Sequence, residues 1–121
     1  MRADKLWEKA LGLLGVGAYP SRMQTPFDIG RMALTVINAV YSDLARILGL
    51  DFKAISAMSD SVLLPESVLS EAFVYGLCAH ISAILGDSDM QNYYGALYNA
   101  KRLSFSKTEE ISDIFSKGES V

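Results

Sequence analysis

The stretch PESVLSEAFVYGLCAHISAILGDS, Pro65 to Ser88, decides the architecture. Pro65-Glu66 opens a helix. Proline suits a first helical position, where an N–H would go unpaired anyway, and the carboxylate beside it complements the positive end of the helix dipole. Val68, Leu69, Ala72, Phe73, Gly76, Leu77, His80, Ile81 and Ile84 then recur at three and four residues, the spacing of one helical face. Gly86 stops this helix, and Asp87 or Ser88 caps the next. Small residues at 72, 76, 79 and 83 allow close approach of a neighbouring helix. The Gly86-Asp87 break is too short for a linker, so the two helices form a tight antiparallel pair.

Downstream of the break, Met90, Tyr94, Leu97 and Tyr98 form a stripe with Tyr93 beside it. Lys101-Arg102 complement the negative end of a helix that runs to about Leu103. Upstream, Thr25-Pro26-Phe27-Asp28 starts a long helix by the same logic as Pro65-Glu66, with Thr25 as cap. Ile29, Ala33, Val36, Ile37, Val40, Tyr41, Leu44 and Leu48 are its buried face, and Gly49 closes it. A first helix covers Ala3 to Leu14, with Leu6, Trp7, Ala10, Leu11 and Leu14 on one stripe, and Gly15, Gly17 and Pro20 end it. Leu50 to Leu64 holds no helical period, because Ser56, Ser59, Asp60 and Ser61 interrupt it. It reads as an ordered, mostly extended connection with a turn or short strand at Ser59-Asp60.

The expectation is an all-α, four-helix bundle-like domain over residues 1–103, with an extended connection between helices 2 and 3. Residues 104–121 follow as a C-terminal arm. In the arm only Phe105, Ile111, Ile114, Phe115 and Val121 are apolar, too little to order it alone, yet too much for a pure spacer. An arm that orders on a partner makes Phe105, Ile111, Ile114 and Phe115 the candidate partner-binding residues.

Composition excludes several function classes. The 121 residues carry 11 Lys and Arg against 14 Asp and Glu, net −3, which argues against a nucleic-acid binder held by a general basic surface. One cysteine, Cys78, cannot form an internal disulfide or a Cys-based zinc site, and one histidine, His80, removes most metal and triad constellations. Cys78 and His80 lie two apart on one helix and point in different directions, so they read as a core residue and a core-edge or interface residue. Glu66 and Glu71, Asp87 and Asp89 sit where helix dipoles attract acids, and Glu109-Glu110 read as solvated. Gly12, Gly15 and Gly17 lack the dinucleotide order and a preceding strand. Tyr93, Tyr94 and Tyr98 beside Lys101 and Arg102 read as core or interface aromatics before they read as base-stacking ones. No catalytic, cofactor-binding or metal-binding set emerges, and the expectation is a non-enzyme without cofactor.

The first apolar stretch, Ala10 to Tyr19, follows Asp4 and Glu8 and so lacks the basic start of a signal peptide. The longest uncharged run, Ala72 to Gly86, is shorter than the roughly 18–20 residues of a membrane span and reads as a buried helix; no membrane is expected as a partner. Mean hydropathy of +0.21 is high for a small chain and points to apolar surface covered by other subunits. Charge is also uneven. Residues 1–50 carry six basic and four acidic side chains, net +2, and residues 51–121 five and ten, net −5, so one subunit's face could complement another's.

Leu63-Leu64-Pro65-Glu66, the run Phe73-Val74-Tyr75-Gly76-Leu77-Cys78-Ala79, Leu85-Gly86-Asp87-Ser88-Asp89, and then Tyr94, Leu97, Tyr98, Ala100 and Lys101 together resemble the head–tail connector (adaptor) proteins of tailed bacteriophages. The order of parts before them, a short helix, a long helix and an extended stretch, is similar too. The resemblance implies a structural virion subunit at the phage neck, assembled in the host bacterial cytoplasm. It further implies a ring of copies of itself, commonly a dodecamer, under the portal protein. Such a ring extends the DNA channel without sequence-specific binding and offers a surface to the next neck or tail-completion protein. The carboxy-terminal segment would grip the portal, with Ile111, Ile114 and Phe115 as anchors. The other class the residues allow is a small cytoplasmic helical binding or regulatory module that acts as a monomer or dimer.

Overall fold

A computed structural model describes residues 1–15 and 24–119, with side chains for 1–15 and 32–105. Helix α1, Ala3–Leu14, buries Ala3, Leu6, Trp7 and Ala10, and Gly15 ends it in the left-handed region at φ 71°. A side chain there would be strained. No side chain caps the start of α1. Its free amides turn instead to the distant connection: Ala3 N donates to Asp60 O and Asp4 N to Met58 O, both at 2.9 Å, and Val62 N donates to Met1 O at 3.0 Å. A helix end buried without such partners would cost the desolvation of each amide.

Helix α2, Gln24–Leu48, buries Ala33, Val36, Ile37, Val40, Tyr41, Leu44 and Ala45. This is the expected face over the described side chains; Thr25, Pro26 and Ile29 lie outside them. Gly49 closes the helix at φ 68°, and Leu50 N returns to Ala45 O at 2.8 Å. Residues 50–64 form the expected non-helical connection, with a single isolated antiparallel bridge between Arg2 and Ser61 and no strand among the described residues. Asn38 on α2 holds it by mimicking a strand edge. Its Nδ2 donates to Ile55 O at 3.0 Å and its Oδ1 accepts from Ile55 N at 2.9 Å. Asp60 accepts from Ser56 N and Ala57 N, a local turn that replaces regular structure. Ile55, Val62 and Leu64 anchor the segment in the core.

Helix α3, Glu66–Leu85, is central and carries a feature absent from the sequence reading. Leu69–Phe73 is a π turn between α-helical Glu66–Val68 and Val74–Leu85. A π turn adds one residue to the helical repeat, so the buried face downstream moves on by one position. Val74 and Ser82, outside the expected stripe, are buried, as is Cys78, read as a core residue; Ile84, on the stripe, is exposed, and so is His80, read as a core-edge or interface residue. By length and composition α3 could cross a membrane. In this fold its apolarity meets α1, α2 and α4. Cys78 Sγ lies 3.6 Å from Ala10 O of α1, and a Cβ on Gly76 would stand 2.9 Å from Val40 of α2 and from Tyr98 of α4.

Gly86, at φ 74°, ends α3, and Asp87 caps α4, its Oδ1 accepting from Met90 N at 3.1 Å. Helix α4, Ser88–Glu119, runs antiparallel to α3 and is longer than expected. The sequence places its end near Leu103, but no proline or turn residue interrupts it there. Ser, Lys and Glu are adequate helix formers once nucleated, so the backbone stays helical into the arm. Glu71 of α3 stands opposite Lys101, so α4 beyond about residue 107 passes the start of α3, leaving roughly 18 Å of helix without α3 beside it. The all-α, four-helix bundle-like architecture with an extended 2–3 connection is thus the observed one.

Candidate interaction surface

The most concentrated polar chemistry lies between α2 and α4. Asp43, half-buried, receives Tyr98 Oη at 2.5 Å on Oδ2 and Arg102 Nη2 at 3.0 Å on Oδ1. Arg102 Nε stands 2.6 Å from the same carboxylate, and Arg46, one helical turn on, adds Nη2 at 3.1 Å. Arg102 also lies over the Tyr98 ring, 5.7 Å from its centroid. Burial pushes the Asp43 carboxyl up, but the hydrogen bonds from Tyr98, Arg102 and Arg46 outweigh it and hold the group below its ordinary 3.8. Burial, and then the hydrogen bond to Asp43, push the Tyr98 phenol up. Both groups therefore sit in fixed protonation states near neutrality, carboxylate and phenol, and act as a staple rather than a proton shuttle.

The staple gives a pH-dependent prediction. Because the folded-state pKa of Asp43 is depressed, its stabilisation is present above the unfolded value near 3.8 and is lost as pH falls through the lower folded value. Asp43→Asn is expected to cost about 1–2 kcal/mol at pH 7, and the gap in urea midpoint between variant and wild type should close below pH ~4. A gap that stays constant to pH ~3 would contradict the assignment.

The sequence-chosen residues divide. Phe105 is half-buried and packs against the core, on the same side of α4 as Tyr94 and Tyr98. It is part of the domain's packing more than a free anchor. Ile111, Ile114 and Phe115 lie on the helical backbone of α4, with side chains outside the described residues. Cys78 is buried, and burial pushes its thiol up to about 12. It should react with a thiol reagent only as the chain unfolds, and native-state labelling at the rate of a free thiol would overturn that placement. His80 is exposed at the rim of an open groove of 490 Å³ between α3 and α4, floored by Ala79, Ala83, Gly95 and Ala96. Gln91, Asn92 and Asn99 complete the groove, so beside His80 it offers amides and small apolar residues. A second groove, 430 Å³, runs beside the connection, where Tyr41 and Leu63 face Lys53 and Asp60. Among the described residues no three His, Cys, Asp or Glu side chains converge as metal ligands would.

What the surface offers is contact. Tyr93 and Leu103 stand 58% and 61% exposed on α4, and Met32 is exposed on α2. The sequence reading missed Asn38 and Asp43, since a single Asn or Asp on the polar side of a helix carries no signal until its distant partners are placed. No protein-family model, curated protein or solved structure matches this chain.

Proposed function

We propose that the protein is a structural subunit of a ring at the neck of a tailed bacteriophage, joining the portal to the tail and extending the DNA channel. The reading rests on the connector-like order of parts, and the observation that carries it furthest is α4. This helix continues past the start of its partner α3 as an arm available to another protein. The surface chemistry supports a contact function, with exposed apolar side chains on α2 and α4. In this role the arm reaches the portal, the bundle supplies the ring wall, and DNA passes without base-specific contacts. A ring multiplies modest contacts into a stable whole.

The test is native mass and negative-stain imaging of the full chain across concentration. A closed ring of about a dozen copies supports the reading, and a monomer or dimer at every concentration overturns it. Truncation after Phe105 sharpens the test. The shortened chain should keep its urea midpoint, since α4 beyond about residue 107 has no α3 beside it, and should lose binding to portal protein.

A further inference from the structure

Arg46 and Arg102 converge on one carboxylate. Both guanidinium groups donate to Asp43 Oδ1, at 3.1 and 3.0 Å, so two positive charges share one negative charge and leave a surplus of one. Arg46 is 75% exposed, with N–H groups to spare. Beside the pair, Ile47 and Leu103 complete a cleft of 210 Å³ between α2 and α4, and Leu103 stands exposed at its edge. The cleft offers two guanidinium forks and two apolar side chains, which suit a carboxylate carried beside an apolar residue. The same chain carries that match at the α3–α4 turn. Asp87 and Asp89 are exposed there, flanked by the exposed Ile84 and Met90. The sequence holds no Lys or Arg between Lys53 and Lys101, so α3 and the first three turns of α4 set no such cation against these acids. Asp89 and Arg102 stand about 20 Å apart along α4, too far to meet within one molecule.

We propose that the α3–α4 turn of each copy docks in the Arg46–Arg102 cleft of the next copy. The inference rests on the ring reading and names the contact that builds it. Opposite charge carried by the two surfaces themselves selects a second copy as the occupant: Asp89 of one copy meets Arg46 of its neighbour, and Met90 lies against Leu103. The two surfaces differ, so the contact is heterologous. An open chain of copies keeps a free turn at one end and a free cleft at the other, and a ring joins them.

The experiment uses the full chain with the charges exchanged, Asp89→Arg in one variant and Arg46→Glu in the other. Asp87, which caps α4, and Arg102, which holds Asp43, are left in place. Native mass and sedimentation are read for wild type, for each variant alone and for an equal mixture, at low and high salt. Each variant alone sets like charges face to face and should self-associate at least about tenfold more weakly than wild type. In the mixture the Asp89→Arg turn enters the Arg46→Glu cleft, and the unaltered turn of the second variant enters the unaltered cleft of the first. Association should return there, and should weaken as salt is raised. A mixture no better associated than the separate variants overturns the proposal, as does a variant that assembles alone like wild type. Ring and contact fail separately. A wild-type ring that both variants also form alone removes this contact and leaves the ring reading. Restored association that stops at dimers or open chains keeps the contact and removes the ring, and a wild type that stays monomeric throughout overturns both.

Discussion

Replacing Phe73 with alanine is expected to remove about 3–5 kcal/mol of stability, enough to lower Tm by roughly 10–20 °C in a domain of this size. The ring is fully buried and sits at the end of the π turn, where α3 changes phase. Removing it takes away the transfer free energy of a large apolar side chain and leaves a cavity that the helices packed on it, α2 and α4, cannot fully collapse into. Phe73→Leu, which refills most of the volume, should cost less than half as much. Thermal and urea unfolding of both variants checks the pair. Equal losses for Ala and Leu would show that shape, and not cavity volume, dominates the site.

Gly76→Leu should be the other severe substitution, costing about 3 kcal/mol or more. Even a Cβ at this position would stand 2.9 Å from Val40 Cγ1 and 2.9 Å from Tyr98 Cε1. Glycine here is unusual: it sacrifices about 1 kcal/mol of helix propensity relative to alanine, in exchange for bringing α2 and α4 together on one side of α3. Tyr98 cannot swing aside cheaply, because its hydroxyl is held by Asp43. A leucine must therefore push the helices apart and break the Asp43–Tyr98–Arg102 staple. The expected signature is a lower urea midpoint together with loss of the acid-dependent gap between wild type and Asp43→Asn. A Gly76→Leu chain as stable as wild type would mean that α2 and α4 are less tightly set than the geometry shows.

Much of this was legible in the sequence because it is local. Gly15, Gly49 and Gly86 each end a helix at positive φ, as their positions after apolar stripes indicate. Asp87 caps α4 because an acid beside a free amide end needs no tertiary information. The stripes of α1 and α2 were read correctly over the described side chains, since 3.6-residue periodicity is a property of the chain alone.

The misses share a cause. On α3 the stripe stays buried at Gly76, Leu77 and Ile81 beyond Phe73, but the π turn brings Val74 and Ser82 into the core and leaves Ile84 exposed. That extra residue is accommodated by packing against α2 and α4, and no local propensity encodes it. The end of α4 was set too early because composition reports what a segment can bury, not how far an already nucleated helix propagates.

Most helix ends apart from that of α4, the non-helical character of residues 50–64, the all-α class and the scarcity of chemistry-bearing side chains were determined by the sequence itself, through capping, periodicity and residue counts. Tertiary structure alone decided that Asp43 meets Tyr98 and Arg102, that Asn38 clasps Ile55, and that carbonyls from 58 and 60 complete the start of α1. Each joins groups 17 or more residues apart. Such partners are chosen by how the helices pack, and packing is a property of all the buried faces at once.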